Sequence, residues 1–367
     1  MIRKNKIPVA LAAVLLLCIP TTASAQDGVD AVDEGAEGAE DLVAEELEAG
    51  DDERPWSVSG SSTLYAYQGL FVSVANDSQY AGEVDDGSGA YNLAVLVSTI
   101  DPSYQWGDFT FAGQIRYDQN LTAAGGINEP YEGRFQDINF SAAHSGYSHE
   151  GTGITVAPSF GLALPTSSRA RAMTMIASTS LGARLSRTFF DNLTLSYGLT
   201  GSRTFHRYTS PVMNIDEVGE ENAHFRSDGA EAVEPGRFAV AGINTPWGLV
   251  HSLAANMAFS DRLTTTISFG LSTGWSYNVA RDDEYASEYQ CSGRCAGRSA
   301  NGRSAQLSSG SVVVDYTLND NLDISAGIGS VQPPKKANNQ SYNFPFWNFS
   351  GAAANYSSLS LGVTGSY

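Results

Sequence analysis

The chain has 367 residues, 37 glycines, only 17% charged residues and a formal net charge of −19. An acidic balance of this size excludes the basic footprint of a nucleic-acid binder. Past the first two dozen residues, no apolar run continues for the ~20 residues a membrane helix needs. A helical membrane protein is therefore excluded, but not a barrel, whose strands are short and only half apolar.

In chain order, residues 1–25 read as a secretory signal peptide: basic "MIRKNK", apolar "VALAAVLLLCI", then the small-residue cleavage site "ASA". Cys18 falls inside that segment and is discarded with it. Residues 26–54 follow as an acidic, low-complexity segment. It has no aromatic residue, and positions 27–54 hold 13 acidic residues against one basic. Such a stretch cannot bury enough apolar surface to offset its ordering entropy, so it is expected to be disordered, on the periplasmic side.

From 55 to 367 the sequence alternates with period 2. In "LTTTISFGLSTGWSYNV" (263–279) one face is Leu263, Thr265, Ile267, Phe269, Leu271, Thr273, Trp275, Tyr277 and Val279, largely apolar and aromatic, and the other is Thr, Ser, Gly and Asn. The same pattern recurs at 109–118, 155–164, 193–205 and 358–367, and period 2 at this length means strands. A water-exposed sheet face would carry Lys, Glu and Arg. This one carries Ser, Gly, Thr and Ala, which suits the inside of a curved, closed wall.

Twelve strands are expected: 56–68, 90–100, 107–119, 134–146, 153–164, 172–187, 193–207, 246–260, 262–279, 305–318, 321–331 and 355–367. The connections alternate between short ("DPSYQW", "YSHEGT", "TFFDN", "D", "ND") and long, the longest being 208–245 and 280–304, with "PTSSRAR" a short exception among the long ones. This asymmetry belongs to outer-membrane barrels, and an even strand count puts both termini on the short-turn side. Trp56, Trp106, Trp247, Trp275, Tyr277, Phe189 and Phe190 fall near strand ends, as interfacial girdles require. Cys291 and Cys295, in "CSGRC", read as a disulfide pinning a loop tip.

The last strand, "SLSLGVTGSY", resembles the carboxy-terminal recognition strand of bacterial outer-membrane β-barrels, which alternates apolar residues and ends in an aromatic. By that resemblance Leu361, Val363 and Tyr367 form the signal read by the barrel assembly machinery. "PSFGLALPTSS" and the turns "FFDNLTL", "FSDRLTT" and "LNDNLDI" are similar to those of outer-membrane transporters linked to phenol meta-pathway degradation. Ser167 stands where those transporters commonly carry Gly. The expected fold is an all-β transmembrane antiparallel up-and-down barrel of about twelve strands, of porin or transporter type, in outer-membrane lipid.

No catalytic constellation emerges. The outer-membrane phospholipase family presents a His and a Ser two residues apart on its lipid face, but two residues after His251 and His206 stand Leu253 and Tyr208. There is no nucleophile elbow, no metal helix and no phosphate loop. No enzyme, no cofactor and no metal are expected. The lumen offers Gln114, Arg116, Asp118, Arg184, Asp315 and Asp323 as inward candidates, either paired across the interior or forming a charged constriction. The function that follows is a channel for small solutes. The alternative is a binding or structural barrel acting through loops 208–245 and 280–304.

Overall fold

The computed structural model describes residues 55–67, 94–122, 131, 133–190, 192–209, 212–214, 232–234, 237–239, 244–277, 304–336, 340–348 and 356–367. The expected leader, the acidic segment, and Cys291 with Cys295 lie outside the described residues, as do most of loops 208–245 and 280–304.

Among the described residues the strands are β1 (Trp56–Tyr67), β2 (Ala94–Trp106), β3 (Phe109–Asn120), β4 (Gly133–Phe135), β5 (Ile138–His144), β6 (Tyr147–His149), β7 (Ile154–Leu164), β8 (Met175–Phe189), β9 (Leu193–His206), β10 (Val212–Asn214), β11 (Ala232–Glu234), β12 (Arg237–Ala239), β13 (Trp247–Ser260), β14 (Leu263–Trp275), β15 (Ser304–Asn319), β16 (Leu322–Gln332) and β17 (Ser357–Ser366). A one-turn helix, α1 (Ser168–Ala172), is capped by the Ser167 hydroxyl, which accepts from the Ala170 amide.

Each long strand pairs antiparallel with its sequence neighbour. The ring β1-β2-β3-β5-β7-β8-β9-β13-β14-β15-β16-β17 closes where β1 pairs with β17, Leu64 opposite Leu361 and Ser62 opposite Val363. The barrel therefore has twelve wall strands and no free edge, as the alternation demanded. β4 and β6 are short extensions of the wall, pairing with β3 and β7. β10, β11 and β12 make a separate small sheet.

The turns differ from expectation in two places: in "YSHEGT" Tyr147–His149 form β6, which leaves the turn to 150–153, and the larger departure is at the first turn. "DPSYQW" (101–106) is not a connection but the lower half of β2, and the turn is the two residues Gly107 and Asp108. Gly107 takes φ +58°, open to it because it lacks a Cβ. Asp and Pro read as turn signals, yet Pro102 is accommodated because the β2–β3 ladder is interrupted opposite it, between the Ile100–Ile115 and Ser103–Ala112 pairs. The other tight connections stand where expected, at 190–192, 261–262 and 320–321. They share one rim with the start of β1 and the end of β17, called here the lower rim. The long connections share the upper rim.

Candidate functional site: the barrel lumen and its wall

Residues directly opposite in an antiparallel pair share a face, so the register assigns every side chain. Leu181, Leu185, Leu195, Leu199, Leu253, Phe160, Ile267, Val314, Leu361 and Val363 are exposed on the outer surface. In water this would be an intolerable apolar belt, whereas in hydrocarbon it is the expected wall. Trp56, Tyr104, Trp106 and Phe109 ring the lower edge, and Trp247, Phe205 and Trp275 the upper. A closed barrel with an apolar outer belt and two aromatic girdles defines a transmembrane β-barrel of the outer-membrane type.

The inner face is small. Ser159, Gly182 and Thr200 meet inside the wall, as do Gly198 and Ser252, and Gly362 with Ser325 and Thr63. Hydroxyls bridge adjacent strands: Ser268 to Ser311 at 2.6 Å, Ser61 to Thr99 at 2.8 Å and Ser178 to Thr204 at 3.0 Å. Each bridge satisfies a wall hydroxyl with a partner on the adjacent strand.

All six candidate lumen residues lie on inward-facing positions, in three separate groups. On β3, the Arg116 Nε donates to Asp118 Oδ1 at 2.8 Å, and the second guanidinium contact, to Oδ2, is 3.2 Å. Gln136 also donates to Asp118, at 2.8 Å, and Asn139 donates to Gln114 at 3.4 Å. This group is a braced ion pair. On β8, with β5 and β7 between it and β3, Arg184 stands between Ala157 and Gly198. On β15 and β16, Asp315 faces Ser325 and Asp323 faces Thr317, so the two carboxylates are diagonal neighbours on one face. One Asp315 oxygen is buried with no hydrogen-bond partner among the described residues.

Two features were not anticipated from the sequence. Asp101 faces inward on β2, accepting from Thr99 at 2.8 Å; reading its segment as a turn hid it. The upper lumen is also not uniformly small and polar. Tyr65, Tyr67, Val95, Val97 and Val331 form a buried cluster on the inner face of β1, β2 and β16. Alternate residues of "LYAY" and "AVLV" are large and apolar on both faces, so the alternation gives no direction there.

The outer wall also departs from the pattern at the top of β15–β17. Ser308, Ser330, Gln332 and Ser357 occupy outward positions yet are buried, Gln332, Ser330 and Ser357 completely. The segment after β16 folds back down the outside and covers them. The Gln332 amide donates to the Phe344 carbonyl, and the Asn348 amide donates to the Ser357 hydroxyl at 2.7 Å.

His251 lies on the outward face, its ring 2.8 Å from the Tyr197 hydroxyl. No group of three or more potential metal ligands occurs among the described residues.

No protein-family model matches the chain, and no curated protein matches it. Among solved structures, an outer-membrane channel from Pseudomonas putida F1 is similar over 88% of this chain and all of its own, at 11% identity and a TM-score of 0.49. The NanC porin is similar over 84% of this chain and 97% of its own, at 9% identity and a TM-score of 0.40. The KdgM porin, solved in complex with disordered oligogalacturonate, covers 85% and 99% at 9% identity and a TM-score of 0.38. At such values the functional reading rests on the barrel's own wall and lumen.

Proposed function

We propose that the protein is a diffusion channel for small solutes, without a covalent step or cofactor, and with a preference for cations. The observation that carries this reading is the inner face: small hydroxylated side chains over most of its height, with an apolar cluster on one side near the upper rim and charge confined to a few positions. Twelve strands fall between the ~8 that side chains fill and the ~16 that leave a wide aqueous pore. The Arg116–Asp118 pair is self-neutralised. In the lower half that leaves Asp101, Asp315 and Asp323 against Arg184, an excess of negative charge in a confined space, which raises the local cation concentration. On this reading the leader 1–25 is removed on export. The segment 26–54 then hangs in the periplasm below the lower rim, and Leu361, Val363 and Tyr367 are read by the assembly machinery.

Planar-bilayer recording of the purified protein tests it. Under a KCl gradient, discrete conductance steps with a reversal potential on the cation side are expected. A barrel that inserts but remains silent at all voltages refutes the channel; steps with an anion-side potential refute the charge argument.

A further inference from the structure

The chain carries four lysines: Lys4 and Lys6 in the leader-like start, and Lys335 and Lys336 side by side. That second pair is placed on the outside of the barrel. Beyond Gln332 the chain makes a small hairpin, with Lys335 bridged to Tyr342. The Lys336 amide donates to the Ser341 carbonyl at 2.9 Å, and the Asn343 amide donates to the Pro334 carbonyl at 2.9 Å. The Asn343 side chain donates to the Pro333 carbonyl at 2.8 Å. The segment then runs down the wall to Asn348, tied by Gln332 and Ser357. A Cβ at Gly310, outward on β15, would meet the Pro345 carbonyl oxygen at 2.5 Å, so this strap lies flush on the strand.

The exposed chemistry of the strap is consistent in kind. Lys335 and Lys336 are exposed, and neither is ion-paired with a described residue. Across the hairpin from Lys335, Tyr342 is 72% exposed, and further along the strap Phe344 is 53% exposed, lying 5.6 Å from the Phe346 ring. Two cations beside one exposed aromatic ring, with a second exposed ring further down the strap, on the lipid-facing wall at the upper rim, match a ligand with phosphate at its head and acyl chains below.

We propose that the strap, in its described residues 333–336 and 340–348, is a docking site for the phosphorylated, multiply acylated glycolipid of the outer leaflet, with Lys335 and Lys336 on phosphate and Tyr342 and Phe344 among the upper acyl carbons. The site rests on the upper rim being the outer one. The polar patch beneath the strap accounts for the fold-back: Ser308, Ser330, Gln332 and Ser357 would be unsatisfied against hydrocarbon, and the strap shields them. The lysines take no part in that shielding, which leaves them available to lipid.

The test uses the full-length mature protein in detergent, titrated with diphosphoryl lipid A, monophosphoryl lipid A and phosphatidylglycerol, and read by native mass spectrometry. The expected order is diphosphoryl above monophosphoryl above phosphatidylglycerol. The double variant Lys335→Gln/Lys336→Gln should lose roughly tenfold or more in lipid A affinity, at ~1 kcal/mol per surface cation. Equal binding of phosphatidylglycerol and lipid A, or unchanged affinity in the variant, overturns the proposal. An epitope inserted at 337–339 must be reached by antibody on intact cells; if it is reached only after permeabilisation, the proposal also fails. The variant's folding is verified by heat-modifiable electrophoretic mobility, and its conductance should equal the parent's. No preference for lipid A in the parent protein, with normal conductance, sinks the dock alone. A silent barrel with intact lipid A preference sinks only the channel.

Discussion

Gly310 and Gly198 show how much a single added methyl depends on what it meets. Both lie in mid-strand with close neighbours across the wall. The neighbour of Gly198, inside the barrel, is the Ser252 hydroxyl, the free end of a rotatable side chain. The neighbour of Gly310, outside, is backbone: the Pro345 carbonyl oxygen at 2.5 Å and its carbon at 2.8 Å. Gly198→Ala should therefore be absorbed by a rotation of Ser252 with little change in stability. Gly310→Ala must lift the strap, at about 1–3 kcal/mol for overpacking. Limited trypsin digestion measures this directly, because Lys335 and Lys336 sit in the strap. Cleavage there should be faster in Gly310→Ala than in the parent and unchanged in Gly198→Ala. Equal rates in all three would mean that the strap is not seated on β15.

At the scale of the strand, the alternation carried nearly all the architecture. Most of the wall was legible because one face of the strands is small and polar, and a one-residue slip would have put Ser, Thr and Gly against lipid. The inward placement of Arg184, Asp315 and Asp323 followed from the same parity. Legibility ended where parity lost its contrast. β1 ends in "LYAY" and β2 begins with "AVLV", apolar on both sides, so the inward Tyr65–Val97 cluster left no mark in the pattern. Asp101 was hidden because Asp-Pro is a turn signal wherever local chemistry decides, and here the barrel ladder decided instead. The buried outward serines of β15–β17 were out of reach, since their cover is formed by a segment with no period of its own. The lipid-facing side of β17 gives the strand-level test. Leu361 is 57% exposed at the middle of the strand, beside the seam with β1. Leu361→Lys should cost about 2–4 kcal/mol, the depth-dependent penalty for a cation on the outer face of a barrel. Urea unfolding in lipid vesicles reads it. A variant as stable as the parent would mean that this face does not meet hydrocarbon.

Taken as a whole, the lumen has two zones that should govern different properties of the same pore. Towards the upper rim one wall is apolar and bulky, with Tyr65 and Tyr67 packed against Val95, Val97 and Val331. The lower half is hydroxyl-lined and carries Asp101, Asp315, Asp323 and Arg184. Removing bulk acts on the cross-section, whereas removing charge acts on the ion population. Tyr65→Ala/Tyr67→Ala deletes two aromatic rings without altering charge. It should raise single-channel conductance while leaving the reversal potential in a KCl gradient in place. Asp315→Asn/Asp323→Asn keeps the side-chain volume and removes two negative charges from adjacent strands. It should move the reversal potential towards zero, with the larger effect at low salt, where screening is weak. Because the two acidic positions are diagonal neighbours, each single variant relieves the repulsion felt by the other, whose fuller ionisation offsets part of the lost charge, and the double variant should shift selectivity by more than the sum of the singles. If the tyrosine variant changed selectivity and the aspartate variant did not, the ion-sorting element would lie in the upper zone, and the assignment of cation preference to the lower carboxylates would be wrong.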